Sequence, residues 1–138
     1  MRPLVLFVLL ALGVLTVLVG GAATYADSAG GRFAYALVDP NGGVPRIVAA
    51  HTQGFVGVSQ GPFGAGDYCL TPAPGVNVTT TAAVASEEAF YSNAAGFVTV
   101  RYPTSGPTCG PGRLEVKTFD QSVQLSNQIA FTVNVPNP

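Results

Sequence analysis

Beyond residue 31, apolar and polar positions alternate in short runs, and Gly, Pro, Asn and Asp separate the runs. A period of two puts successive side chains on opposite faces of an extended strand. "RFAYALV" (32–38) sets Phe33, Tyr35 and Leu37 against Ala34, Ala36 and Val38, a large face against a small one. That asymmetry predicts a strand packed on both sides or lying at a sheet edge. "DPNGG" (39–43) predicts a turn, because Pro40 presets its φ and Asn41-Gly42 accepts a positive φ. "VPRIVAA" (44–50) and "GFVGVS" (54–59) predict the next strands, and "QGPFGAG" (60–66) another turn.

"DYCLT" (67–71) runs into "PAPG", which bars a central strand there. "VNVTTTAAVA" (76–85) alternates again. "SEEAFYSNAAG" (86–96) breaks the period. Ser86 as N-cap, Glu87 and Glu88 near a positive helix end, and Gly96 as a stop predict a short helix. "FVTVRYP" (97–103) returns to strand. "RLEVKTFD" (113–120) places Leu114, Val116 and Thr118 on one face and Arg113, Glu115 and Lys117 on the other, as a half-exposed strand does. "NQIAFTVNVP" (127–136) closes the chain. About eight short strands predict an all-β fold, an antiparallel β-sandwich of immunoglobulin-like or jelly-roll-like type.

The N-terminus follows another rule. "MRPLVLFVLLALGVLTVLVGGAATYADSAGG" opens with Arg2, runs without a charge from Leu4 to Val19 and ends in small residues. This is the layout of a secretory signal peptide, an apolar helix over 1–26 cut after Ala26, with Ala23 as the second choice. The alternative is an uncleaved anchor, since residues 4–23 are long enough to span the hydrocarbon core as a transmembrane helix. Either way the rest of the chain lies outside the cytoplasm, because Arg2 stays on the inner side. The expected localisation is therefore secreted or extracytoplasmic. Residues 27–31 form a flexible lead and 32–138 one β-sandwich domain.

Removing the leader takes Arg2 with it and moves the formal net charge from −1 to −2. No basic run remains, which argues against nucleic acid as a partner. The membrane enters only through residues 4–23 if they are uncut. A lightly charged surface leaves edge strands as a route to self-association.

The chain has two cysteines, Cys69 and Cys109. In an oxidising compartment a lone pair reads as a disulfide. Cys109 lies in the Pro/Gly loop "PTSGPTCGPG", so the bridge is expected to fasten that loop to the sheet, stabilising by about 4 kcal/mol. A metal centre needs about four ligands, and only His51 could join the cysteines. A thiol nucleophile needs a free cysteine and a base.

Read in order, "FAYALV-DPNGG", "GFVGVS", "G-x-D-Y-C-L-T", "GFVTVRY" and a terminal "F-T-V-N-V" resemble a loose group of small exported bacterial disulfide-containing β-domain proteins of uncharacterised function. The resemblance covers about residues 33–135. It implies a fold and no activity. Members of the group commonly carry a glycine in the final hairpin turn; "FDQSVQLSNQ" has none, which implies a longer loop here.

Candidate chemistry is sparse. His51 is the only histidine, and no G-x-S-x-G elbow accompanies it. Glu87, Glu88 and Asp67 could be imagined as a glycosidase acid pair, but helix capping explains the two glutamates without catalysis. Asp39 and Asn41 offer oxygen ligands without the further acids of a calcium loop. No catalytic residue, metal site or cofactor is therefore expected. The expected function is a non-enzymatic structural or adhesive role at or outside the cell surface. The alternative is a small-ligand or glycan-binding domain using Tyr35, Tyr68, Tyr91 and Tyr102 as aromatic platforms. A small hydrolase around His51 is the third reading.

Overall fold

The computed structural model describes residues 33–80, 82–101 and 108–136. The signal or anchor segment, the lead at 27–31 and Tyr102 lie outside the described residues. Eight strands follow one another: β1 (Phe33–Asp39), β2 (Arg46–Gln53), β3 (Phe55–Gly61), β4 (Gly64–Pro72), β5 (Val84–Glu87), β6 (Gly96–Arg101), β7 (Leu114–Asp120) and β8 (Phe131–Pro136). They form two antiparallel four-stranded sheets, ordered β2-β1-β8-β5 and β3-β4-β7-β6. The fold is the expected all-β sandwich.

The core is the apolar face each strand turns inward. Ala34, Ala36 and Val38 of β1 and Phe131, Val133 and Val135 of β8 meet Tyr68 and Leu70 of β4 and Leu114 and Val116 of β7. β1 is a central strand, flanked by β2 and β8. Its small face is the buried one, and Phe33 and Tyr35 point outward at 58% and 39% exposure. The small residues have a reason. At Gly54 the chain crosses from one sheet to the other with φ near 78°, and a Cβ there would stand 2.6 Å from Ala34 Cβ. A larger residue at 34 would close that corner.

Two expectations need correction. Of the strand expected over 76–85, only its end pairs, as part of β5. Asn77 Oδ1 instead accepts the N–H groups of Thr79 and Thr80 at 2.9 and 3.3 Å and the Thr79 hydroxyl at 2.8 Å. This side-chain turn competes with the ladder, although Val78 still reaches the core.

The helix expected over 86–96 does not form. β5 pairs with β8 as far as Glu87, and the Ser86 and Thr132 hydroxyls meet at 2.8 Å across that ladder. The Glu88 N–H then donates to the Ala130 carbonyl at 2.9 Å. Pairing with β8 claims the groups a helix would have used. The capping chemistry survives one step on, where Glu88 Oε2 accepts the Tyr91 N–H at 2.8 Å.

Candidate functional site

Along β1, Ala36 pairs with Thr52 and Val38 with Ile47. β1 advances by two residues there while β2 advances by five, so Val48–His51 bulge out of the ladder. The Thr52 side chain fills the gap. Its hydroxyl donates to the Val48 carbonyl at 3.0 Å and accepts the Leu37 N–H at 3.3 Å. Bulges of this kind re-aim side chains and are frequent beside functional sites.

The bulge walls a shallow depression of about 280 Å³ on the outer face of this sheet, lined by Tyr35, Ala36, Ala50, His51, Thr132 and Asn134. Tyr35 and Asn134 are direct ladder partners across β1 and β8. The structure thus brings together Tyr35 and His51, which sequence reasoning treated as unrelated candidates. No serine and no carboxylate is among the lining residues. The groups offered are an aromatic ring, an amide, a hydroxyl and an imidazole, which suit a small uncharged polar ligand better than acid–base chemistry.

The other tyrosines are elsewhere. Tyr68 is 1% exposed and packs on Phe131 with ring centroids 5.4 Å apart. It offers no face to a ligand, and burial raises the pKa of its phenol. Tyr91 is half-buried in the turn after β5, edge-on to Phe90 at 5.2 Å. No two of the described tyrosines form a common platform.

The acids at 39, 87 and 88 each accept a backbone N–H within the fold, from Asn41, Gly96 and Tyr91 respectively. Asp39 Oδ2 accepts Arg46 Nε at 3.0 Å and Nη2 at 2.6 Å, and Oδ1 accepts the Asn41 N–H at 2.9 Å. Burial alone would raise the Asp39 pKa, but the Arg46 guanidinium and the Asn41 N–H outweigh it and hold the carboxyl below 3.8. The Asn41 amide donates to the Tyr91 carbonyl and accepts Asn93 Nδ2 at 2.7 Å. The Asp39 and Asn41 oxygens, candidate calcium ligands in the sequence, are therefore engaged. Among the described residues no group of His, Cys, Asp and Glu could hold a metal ion.

The second notable place lies on the outer face of the other sheet. Cys69 and Cys109 form the expected disulfide. Cys69, Asp67, Glu115 and Lys117 share that face, paired Asp67 with Lys117 and Cys69 with Glu115. The half-exposed face expected for β7 is instead closed at Glu115, which is 1% exposed. Glu115 Oε1 takes Lys117 Nζ at 3.3 Å and Arg101 Nη1 at 3.4 Å. Asp67, fully buried, accepts the Phe63 N–H at 2.9 Å, and Lys117 Nζ stands 3.7 Å over the Phe63 ring. The alternation of β7 showed which residues share this face. It carried no sign that the face is covered.

The fold and its bridge define a disulfide-linked, two-sheet antiparallel sandwich. No family model, curated protein or solved structure matches the chain.

Proposed function

We propose that the chain is an exported, non-enzymatic β-sandwich with a structural or adhesive role at or outside the cell surface, and that it belongs with the small exported bacterial β-domain proteins its strand and turn motifs resemble. The observation that carries this reading is the Cys69–Cys109 disulfide, since such bridges persist in oxidising compartments. The leader-like run at 4–23 supports it, and so does the absence of a serine or a carboxylate among the described residues that line the depression with His51. Fractionation of source cells tests it. The expected result is an oxidised chain in the medium or accessible to protease on intact cells, and weaker attachment or a weaker envelope when the gene is deleted. A reduced chain confined to the cytoplasm overturns the proposal.

A second reading, binding of a small neutral ligand such as a sugar, is favoured by one observation: Tyr35, His51, Thr132 and Asn134 share a depression. Titration of isotope-labelled protein with neutral glycosides tests it. Amide shifts confined to β1, β2 and β8, lost in Tyr35→Ala, are expected; no shift at millimolar sugar removes it.

Self-association through the edge strands β2, β3, β5 or β6 accompanies the adhesive reading. Light scattering showing only monomer at high concentration removes that part.

A further inference from the structure

Four charged side chains, Asp67, Arg101, Glu115 and Lys117, share the sheet face that carries Cys69. Asp67 and Glu115 are withdrawn from water, and Lys117 Nζ is held between Glu115 Oε1 and the Phe63 ring. Asp67 Oδ2 is fixed by the N–H of the same Phe63. The amine and the carboxyl therefore rest against one residue. Burial of this kind is costly unless every charge is paired and hydrogen-bonded. Asp67 Oδ1 and Glu115 Oε2 have no hydrogen-bond partner among the described residues. Buried polar atoms almost always have one, so each orphan calls for an explanation.

Asp67 and Lys117 are direct cross-strand partners in the β4–β7 ladder. Opposed Cβ atoms in such a pair stand about 5 Å apart. An amide between the two side chains spans that gap with slack, because the lysine stem supplies three further carbons. Reaching Asp67 Cγ takes a rotation of the Lys117 stem that lifts Nζ off the Phe63 ring.

We propose that Asp67 and Lys117 are a modification site, joined side chain to side chain by an isopeptide bond whose formation Glu115 assists. The Cγ–Nζ bond forms as the bond from Cγ to Oδ1 breaks. Oδ2 remains as the amide oxygen and keeps the Phe63 N–H. Glu115 takes a proton from Nζ and returns it to the departing oxygen. Counted from the ammonium and the carboxylate, two hydrogens of Nζ leave with Oδ1 as water and the third stays on the amide nitrogen. Glu115 ends as it began, and nothing is oxidised or reduced.

Burial of Asp67, helped by the Glu115 charge and opposed by the Phe63 N–H and the two cations, raises its pKa and favours the neutral acid, the form an amine can attack. Counted from the ammonium and the carboxylate, the product removes a positive and a negative charge from this face together with one orphan oxygen, and it leaves Glu115 to Arg101. β4 and β7 would then be linked two residues along from Cys69, giving this face a second covalent tie. The inference does not depend on where the chain acts.

An intact mass of the folded, purified chain after reduction tests it, with the N-terminus read by tandem mass spectrometry. The expected mass is lower than the sequence requires by one water, about 18 Da. Proteolysis should release a branched peptide joining the segments around Asp67 and Lys117. Lys117→Arg, which keeps the charge and cannot form the bond, should carry the full mass. A full mass in the unaltered chain overturns the proposal without any variant, and so does a water loss that Lys117→Arg retains. Glu115→Gln should link more slowly or incompletely; linkage as fast as in the unaltered chain overturns the part assigned to Glu115.

Discussion

Cys69 stands opposite Glu115 in the β4–β7 ladder, so the disulfide and a buried carboxylate share one face of the sheet. Cys109 is bridged to β4, whose partner β7 carries the buried charge. The bridge therefore shortens the unfolded chain's reach and ties Cys109 to the strand whose ladder partner carries Glu115 and Lys117.

Removing the bridge should restore to the unfolded chain the loop entropy that the bridge withholds. The double variant Cys69→Ser with Cys109→Ser is expected to lose roughly 2–4 kcal/mol in urea unfolding. Protease should also cut near Cys109 faster. An equal stability with and without reductant would mean that the loop is held by other contacts.

Asp39 makes stability depend on pH in a stated direction. Its folded pKa is lowered below 3.8, chiefly because Arg46 and the Asn41 N–H outweigh burial. A lowered carboxylate contributes stability that is complete above the unfolded value of 3.8 and is lost as pH falls through the folded one. Asp39→Asn should therefore lower the melting temperature at neutral pH, and the gap from the unaltered chain should close below pH 3.8. A gap that stays constant on acidification would assign the effect to packing.

Ser92 tests why the expected helix is absent. Its Oγ accepts the Ala130 N–H at 2.9 Å and donates to the Glu88 carbonyl at 2.7 Å. It thus ties the turn after β5 to the chain entering β8. Ser92→Ala strands both groups and should cost about 1–3 kcal/mol. Fast amide exchange at Ala130 would confirm the site of the loss.

These residues also show what was legible. The strands followed from alternation because one face of each is buried, and a wrong register would turn the buried set outward. The segment 86–96 misled because Ser-Glu-Glu is a local signal, while the ladder with β8 comes from residues forty-odd positions on. The same distance hid the candidate sites. Tyr35 and Asn134 become neighbours only when β1 and β8 pair, and nothing in "AAHTQG" announces the bulge that carries His51 beside them. Tyr68 is a platform candidate in a chain without tryptophan, and only the pairing of the two sheets shows that it is covered. Lys117 and Glu115 read as solvated in a cleanly alternating strand, whereas Phe63 over Lys117 and Arg101 at Glu115 come from segments far along the chain or on a neighbouring strand.

Gly54 and Gly42 separate backbone strain from close approach. Both have a positive φ, 78° and 90°, in which an L side chain is strained by about 1 kcal/mol. Around Gly42 nothing lies within 4 Å of an added Cβ, while at Gly54 the Ala34 Cβ stands at 2.6 Å and Val76 Cγ2 at 3.3 Å. Gly42→Ala should therefore cost only the backbone term. Gly54→Ala adds a clash with a core strand that cannot retreat, because Ala34 is paired to Val135 and packed in the core. Its loss should exceed that of Gly42→Ala by 1 kcal/mol or more, on the order of a core overpacking penalty. Thermal or urea unfolding of the two single variants decides it. Equal losses would show that the corner between the sheets yields, and that the small face of β1 is not needed to admit it.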